Sequence, residues 1–316
     1  MISRRLLRIK ILQILYAYFK TENAAAGKME KDLFFSIQKT HELYISVFAL
    51  LDEIVRYAHR RIDLGRNKMS PAPEDLNPNT KFIDNVVLKR LSANPSFTSC
   101  VSEYKVNWAV YPELVRKLYR EITESGFYSE YMEKDETSVK DDLKLVNSIL
   151  YRVILNSEML DSLLEERSIF WNNELDFVIR QVERTLKKIS DETLDDTELL
   201  ALYKDEEDRD FVKRLFRHVI ANNREYRELI ERFTSNWDVD RIAFMDILLM
   251  QQAIAEIIEF ENIPTRVSFN EYIELSKFFS TLKSGNFING VLDKIINKLK
   301  EEKRIVKSGR GLIGED

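Results

Sequence analysis

A single cysteine, Cys100, excludes a disulfide framework and a cysteine-based zinc site. Only three histidines occur (His41, His59 and His218), far apart along the chain, so no metal site and no cofactor is expected. Proline is missing between Pro112 and Pro264, and glycine between Gly126 and Gly285, so residues 127–263 lack both strong helix breakers. A glycine-rich phosphate loop is missing too, as is a repeated strand–helix alternation. No apolar run approaches the roughly 18 residues that a membrane span requires. The N-terminus lacks the apolar core of a signal peptide. The expectation is a soluble, cytoplasmic, all-α protein without membrane contact.

What is present fits that class. Hydrophobic residues make up 44% of the 316, enough for a substantial core, and charged residues 32%, which suits solvated helix faces. The formal net charge of −5 will not attract polyanions as a whole. A nucleic-acid site would have to be a local basic patch.

Residues 3–20 read as a helix capped by Ser3, with Leu12, Leu15, Tyr16 and Phe19 as its core stripe. Arg4, Arg5, Arg8 and Lys10 precede any acidic residue. Arginines near a helix N-terminus oppose the helix dipole, whereas their planar forks match phosphate oxygens. A solubilising end and a phosphate clamp both fit this pattern. Residues 29–63 form a long helical pattern ending in a basic cluster, and Pro71, Pro73 and Pro78 mark a linker. Short helices are expected at 79–91 and 112–125, with Trp108 and Tyr111 as core anchors. Two helices are expected at 138–170 and 173–189. Ten acidic residues crowd 190–210; without a glycine they suit a solvated connector better than a metal loop.

Sliding the chain by 66 residues aligns 146–171 with 212–237 without gaps. Val146, Val153, Ile154, Asn156, Leu163, Glu165 and Trp171 fall on Val212, Val219, Ile220, Asn222, Leu229, Glu231 and Trp237. Shared amphipathicity and a duplicated helical pair both account for this. Residues 211–234 predict two helices broken near Asn222–Asn223. Ala243 to Ile258 is apolar on most sides, the mark of a central helix.

Residues 264–293 are more specific. Pro264 ends one helix, and Ser268 with Glu271 has the spacing of a capping box for the next. A Lys283–Ser284–Gly285–Asn286 turn leads into a last apolar stripe of Phe287, Val291, Ile295 and Ile296. Gly290 is expected to let that helix approach a neighbour closely. The turn offers backbone N–H groups at a helix start, which suit phosphate. Residues 301–316 are expected to be a basic, flexible tail.

The two ends together resemble the NusB family of transcription antitermination factors. The resemblance rests on Arg4, Arg5, Arg8 and Gln13 to Tyr16 at one end. At the other it rests on Trp237 to Ile242, Asp246, Glu256, Pro264, Val267, Asn270, Glu271, Glu274, Leu275, Lys277 and Phe287 to Asp293. It implies a NusB-like helical bundle of two subdomains: residues 1–20 and 201–300, interrupted by a helical insert over 21–200 of unstated role. It implies binding of boxA-type RNA of ribosomal RNA transcripts, beside the ribosomal protein that acts as NusE, in the RNA polymerase antitermination complex. By resemblance, Arg4, Arg5, Arg8, Tyr16, Lys283, Ser284, Asn286 and Phe287 would contact RNA, and Glu256 would lie on the partner-protein face. Gln251 stands where family members usually carry arginine, and Lys283 where some carry an acid.

Two other readings remain. A related helical domain precedes the catalytic part of some RNA cytosine methyltransferases, but this chain has neither the α/β cofactor domain nor the cysteines of such an enzyme, and no enzymatic activity is expected. A helical protein-binding scaffold, with the insert as its main surface, is the alternative.

Overall fold

The computed structural model describes residues 3–172, 174–190, 198–203, 205–234, 242–281 and 283–314. These residues are helical with no strand among them. The helices are α1 (Arg4–Lys20), α2 (Ala26–Arg66), α3 (Pro73–Leu76), α4 (Lys81–Asp84), α5 (Val86–Ala93), α6 (Pro95–Tyr104), α7 (Pro112–Thr123) and α8 (Gly126–Met132). Then come α9 (Val139–Ile149), continued by a π-helical stretch (Leu150–Ile154), α10 (Glu158–Arg167) and α11 (Leu175–Ile189). The last are α12 (Glu206–Ala221), α13 (Asn223–Phe233), α14 (Phe244–Glu259), α15 (Thr265–Phe279) and α16 (Ser284–Glu301). Among these residues no helix is long and apolar enough to cross a membrane.

The chain divides into two units: Met1–Ile37 with Leu202–Asp316, and Gln38–Ala201. The boundary falls inside α2. In the first unit α14 is the axis, touching α1, α12, α13, α15 and α16. All twelve residues from Asp246 to Ile257 are buried, as the apolar run predicts. Most of its polar side chains are answered, the buried Gln252 Oε1 being left without a partner. Gln251 donates to Asn223 O at 3.0 Å, which ties α14 to the start of α13. Gln252 donates to Arg8 O at 3.0 Å. Tyr16 meets Phe244 edge-on at 5.7 Å, so α1 runs antiparallel to α14.

The second unit has its own core, built on Leu43 to Ala58 of α2 and apolar faces of α5, α7, α9 and α11. Trp108 is buried and donates to Ser46 O at 2.8 Å, an anchor as expected. The helix expected over 138–170 is in fact broken. Ser138 and Asp141 cap its start reciprocally. The π stretch carries an i→i+5 bond from Leu155 N to Leu150 O, and the Asn156 amide bonds the Tyr151 carbonyl at 2.8 Å. The 79–91 segment is likewise two short helices, split where Asn85 caps α5 through Leu88 N.

The aligned segments share helix limits. Moved by 66 residues, the end of the π stretch falls one residue before the end of α12, α10 starts one residue after α13 does, and both end together. Asn222 turns its amide back onto His218 O at 3.0 Å, much as Asn156 does onto Tyr151 O. Trp237, the counterpart of Trp171, lies outside the described residues, as does much of the acidic connector.

Three local expectations near the C-terminus are overturned. α15 starts at Thr265, so Ser268 is a buried interior residue and no cap; its hydroxyl goes to Glu256 at 2.6 Å. Gly290 faces open space and permits no close approach. The tail is seated, because Lys307 Nζ satisfies the carbonyls of Ile257 and Phe260 at the end of α14. Ser308 N donates to Glu261 O at 3.0 Å. Gly311 lies so close to that carbonyl that a Cβ would be 1.8 Å from it.

Candidate nucleic-acid interface

The arginines of α1 each meet a carboxylate of their own unit. Arg4 Nε donates to Asp208 at 2.9 Å, at the start of α12. Arg5 makes a two-pronged pair with Glu271 of α15, at 2.8 and 2.6 Å. Arg8 does the same with Glu256 of α14, at 2.8 and 2.6 Å. Both Arg4 and Arg8 place the guanidinium over the Phe211 ring, at 5.4 and 5.5 Å. The forks that would suit phosphate are thus filled from within the unit.

Arg8 and Glu256 form the closed centre of this arrangement, 3% and 0% exposed. The Glu256 carboxylate also accepts from Ser268 and, at 2.8 Å, from Tyr272. Burial opposes both charges. The field and hydrogen bonds of Arg8 nevertheless hold Glu256 below the ordinary glutamate value, with Ser268 and Tyr272 adding to the effect. Glu256 in turn raises Arg8 beyond the usual arginine value. Burial, reinforced by the charge of Glu256, pushes the Tyr272 phenol well up. Arg8, expected in RNA contact, and Glu256, expected on a partner face, lie in the structure as a buried pair joining α1, α14 and α15. Arg5, with about half its side chain exposed, is the most open of the three. The arginines resist a purely dipole-based argument because a carboxylate more than 200 residues away neutralises each one.

The turn expected at 283–286 begins earlier. α16 already starts at Ser284, so Gly285 and Asn286 lie in its first turn. Ser284 is buried and donates to Asp246 at 2.8 Å; Ser280 donates to the same carboxylate, and Thr281 N donates to the Ser284 hydroxyl at 3.2 Å. Ser284 holds the turn and has no surface to offer RNA. Lys283 and Asn286 are exposed and Phe287 is half-buried. Lys283 has no carboxylate partner among the described residues.

Tyr16 leaves the expected core stripe, 40% exposed. Lys20, one turn further on, lies over the Phe244 ring at 4.4 Å and is likewise exposed and without a carboxylate. Phe244 and Asp246 both belong to the first turn of α14. At about 100° per residue they point to opposite sides of it. Tyr16 and Lys20 thus flank one side of the end of α14, and the Lys283 turn flanks the other. The arginines lie toward the far end, since Asp246 and Glu256 are about 15 Å apart along the axis at 1.5 Å per residue. The turn shares an end of α14 with Tyr16 and Lys20 and not with Arg4, Arg5 and Arg8. Lys20 and Phe244 are missing from the sequence-derived site. Lys20 is an ordinary helix-ending cation in the sequence, and only the fold places Phe244 beneath it. Among the described residues no group of His, Cys, Asp or Glu is arranged to hold a metal ion.

A helical bundle built round one buried helix, with cations and aromatic faces at that helix's start, places the first unit among all-α helical modules. The model of the NusB family matches residues 173–297. Over 115 residues the chain is 44% identical to the transcription antitermination protein NusB of Salinibacter ruber, covering 36% of this chain and 72% of that one. The NusB protein of Chloroherpeton thalassium is 40% identical over 105 residues, 33% of this chain and 50% of that one. That of Natranaerobius thermophilus is 46% identical over 81 residues, 26% and 58% of the two chains. No solved structure matches. The chain belongs to the NusB family, as an enlarged member.

Proposed function

We propose that this chain, a transcription antitermination factor by family, acts without catalysis by binding boxA-type single-stranded RNA of ribosomal RNA transcripts. It does so together with the ribosomal protein acting as NusE, within the RNA polymerase antitermination complex in the cytoplasm. The observation that carries the RNA reading is the exposed Tyr16 ring set edge-on to the half-buried Phe244, with Lys20 over that ring, on the other side of α14 from the uncompensated Lys283. Single-stranded RNA needs cations for its backbone and ring faces for its bases, and this helix end offers both. The strand crosses the start of α14, with Asn286 and Phe287 beside Lys283. Arg5 supplies a peripheral charge, and Arg4 and Arg8 organise α1.

The test is fluorescence anisotropy of a labelled boxA-type RNA with and without the NusE-type ribosomal protein. Binding that tightens with the partner and weakens with salt supports the proposal. Unchanged binding by a Lys20→Glu, Lys283→Glu double variant refutes this location of the site.

A further inference from the structure

The geometry points to a second phosphodiester-binding groove on the other unit, along α9 and its π-helical continuation, which takes single-stranded RNA flanking the boxA-type element. It rests on the RNA reading above for the class of ligand. It rests on its own residues for the place.

The groove is a shallow, open depression of about 400 Å³ with Leu143 among its lining residues. Lys140, Lys144 and Arg152 line it with Asn147, Ser148 and Tyr151, and no carboxylate is among the lining residues. Lys140, Lys144 and Arg152 are exposed. None of the three has an ion-pair partner among the described residues; Arg152 rests over the Phe127 ring at 5.8 Å. The Oδ1 atom of Asn147 is buried beneath this face without a hydrogen-bond partner.

The π stretch explains the alignment. Residues four apart on an α-helix drift by about 40° around the axis, so Lys140, Lys144, Ser148 and Arg152 would wind away from one line. An i→i+5 turn takes in more residues per revolution and works against that drift. The stretch from Leu150 to Ile154 lies where the correction returns Arg152 toward the lysine row. The neighbouring acids of α11 are engaged: Asp176 pairs with Arg180, and Glu183 accepts from the Tyr151 hydroxyl at 2.5 Å. With three unpaired cations against these, the groove stays net positive, in a molecule whose net charge is negative.

The experiment uses the full chain and two RNAs: the boxA-type element alone, and the same element extended by a single-stranded uridine tract. The extended RNA is expected to bind more tightly, with a steeper salt dependence by up to about −2 in log–log slope, at −0.7 per phosphate for three cations. Lys140→Glu with Lys144→Glu and Arg152→Glu is expected to remove that increment and leave the short RNA's affinity unchanged. A charge-matched control carries Arg61→Glu, Arg66→Glu and Arg120→Glu, all exposed in the same unit. Circular dichroism checks that both variants fold. An equal loss in the control, or no gain from the extension in the wild type, overturns the groove. Competition by polyglutamate as strong as by oligouridylate also overturns it, and reassigns the groove to an acidic polypeptide. If the short RNA fails to bind the wild type, the primary site is wrong, and the oligouridylate arm still reads the groove.

Discussion

Arg8 and Glu256 are 248 residues apart in sequence and form a two-pronged, fully buried ion pair, closed further by Ser268 and Tyr272. Removing one partner leaves the other charged in an apolar interior. Arg8→Ala or Glu256→Gln is expected to cost about 3–5 kcal/mol in urea unfolding. Replacing both, as Arg8→Met with Glu256→Leu, is expected to recover only part of this. The Ser268 and Tyr272 hydroxyls would then lose their acceptor, at about 1–3 kcal/mol each. Full recovery in the double variant would contradict the account of the network.

The same pair fixes the direction of acid sensitivity. Glu256 and Glu271 both titrate below the ordinary glutamate value of 4.5, Glu256 through the charge of Arg8 overcoming burial and Glu271 chiefly through its bond to Arg5. For a carboxylate with a lowered folded-state value, the stability contribution is full above the unfolded value and drains away as pH falls through the folded one. Unfolding free energy is therefore expected to be flat above about pH 5 and to fall below about 4.5. Glu256→Gln starts lower and shows a shallower fall. Denaturant titrations at a series of pH values measure both.

At the start of α14 the expectation concerns binding. Tyr16→Ala is expected to weaken boxA-type RNA by about tenfold, the loss of one stacked base at about 1–3 kcal/mol. Lys283→Glu weakens it at low salt and flattens the salt dependence. Arg4→Ala is expected to leave affinity nearly unchanged once the folded fraction is accounted for. Anisotropy at several salt concentrations separates these outcomes.

The helical class and the central helix were legible because both depend on local pattern: the absence of breakers and an apolar run from Ala243 to Ile258. The family was legible in Phe287 to Asp293 and its neighbours. The site was only partly so. Arg8 and Glu256 look like surface groups when each is viewed on its own helix, and only their meeting buries them. Ser268 and Glu271 have the spacing of a capping box, yet their side chains serve Arg8 and Arg5, because α15 begins a turn earlier at Thr265. Tyr16 has the period of a core residue and still emerges at the surface, since α14 has only begun where α1 ends. The tail's basic composition suggested solvent, but Lys307 finds a helix C-terminus whose free carbonyls attract a cation.

That seat gives a further expectation. Gly311→Ala cannot keep the present backbone, because its Cβ would overlap the Glu261 carbonyl. The tail is expected to release, exposing Arg310 and Lys307 to trypsin and speeding amide exchange at Ser308. RNA affinity should not change. Protection of the tail in the variant would show that the contact is loose.

The unit that holds α1 is interrupted by a continuous second unit over Gln38–Ala201. During synthesis Arg8 leaves the ribosome long before Glu256 exists. At about 5–20 residues per second the wait is on the order of 12–50 seconds. The second unit is complete in sequence during that interval, whereas α1 must remain an unseated amphipathic helix with its arginines uncompensated. The protein's birth order is therefore the reverse of its numbering: the middle of the chain can fold first, and the first helix is among the last to find its place.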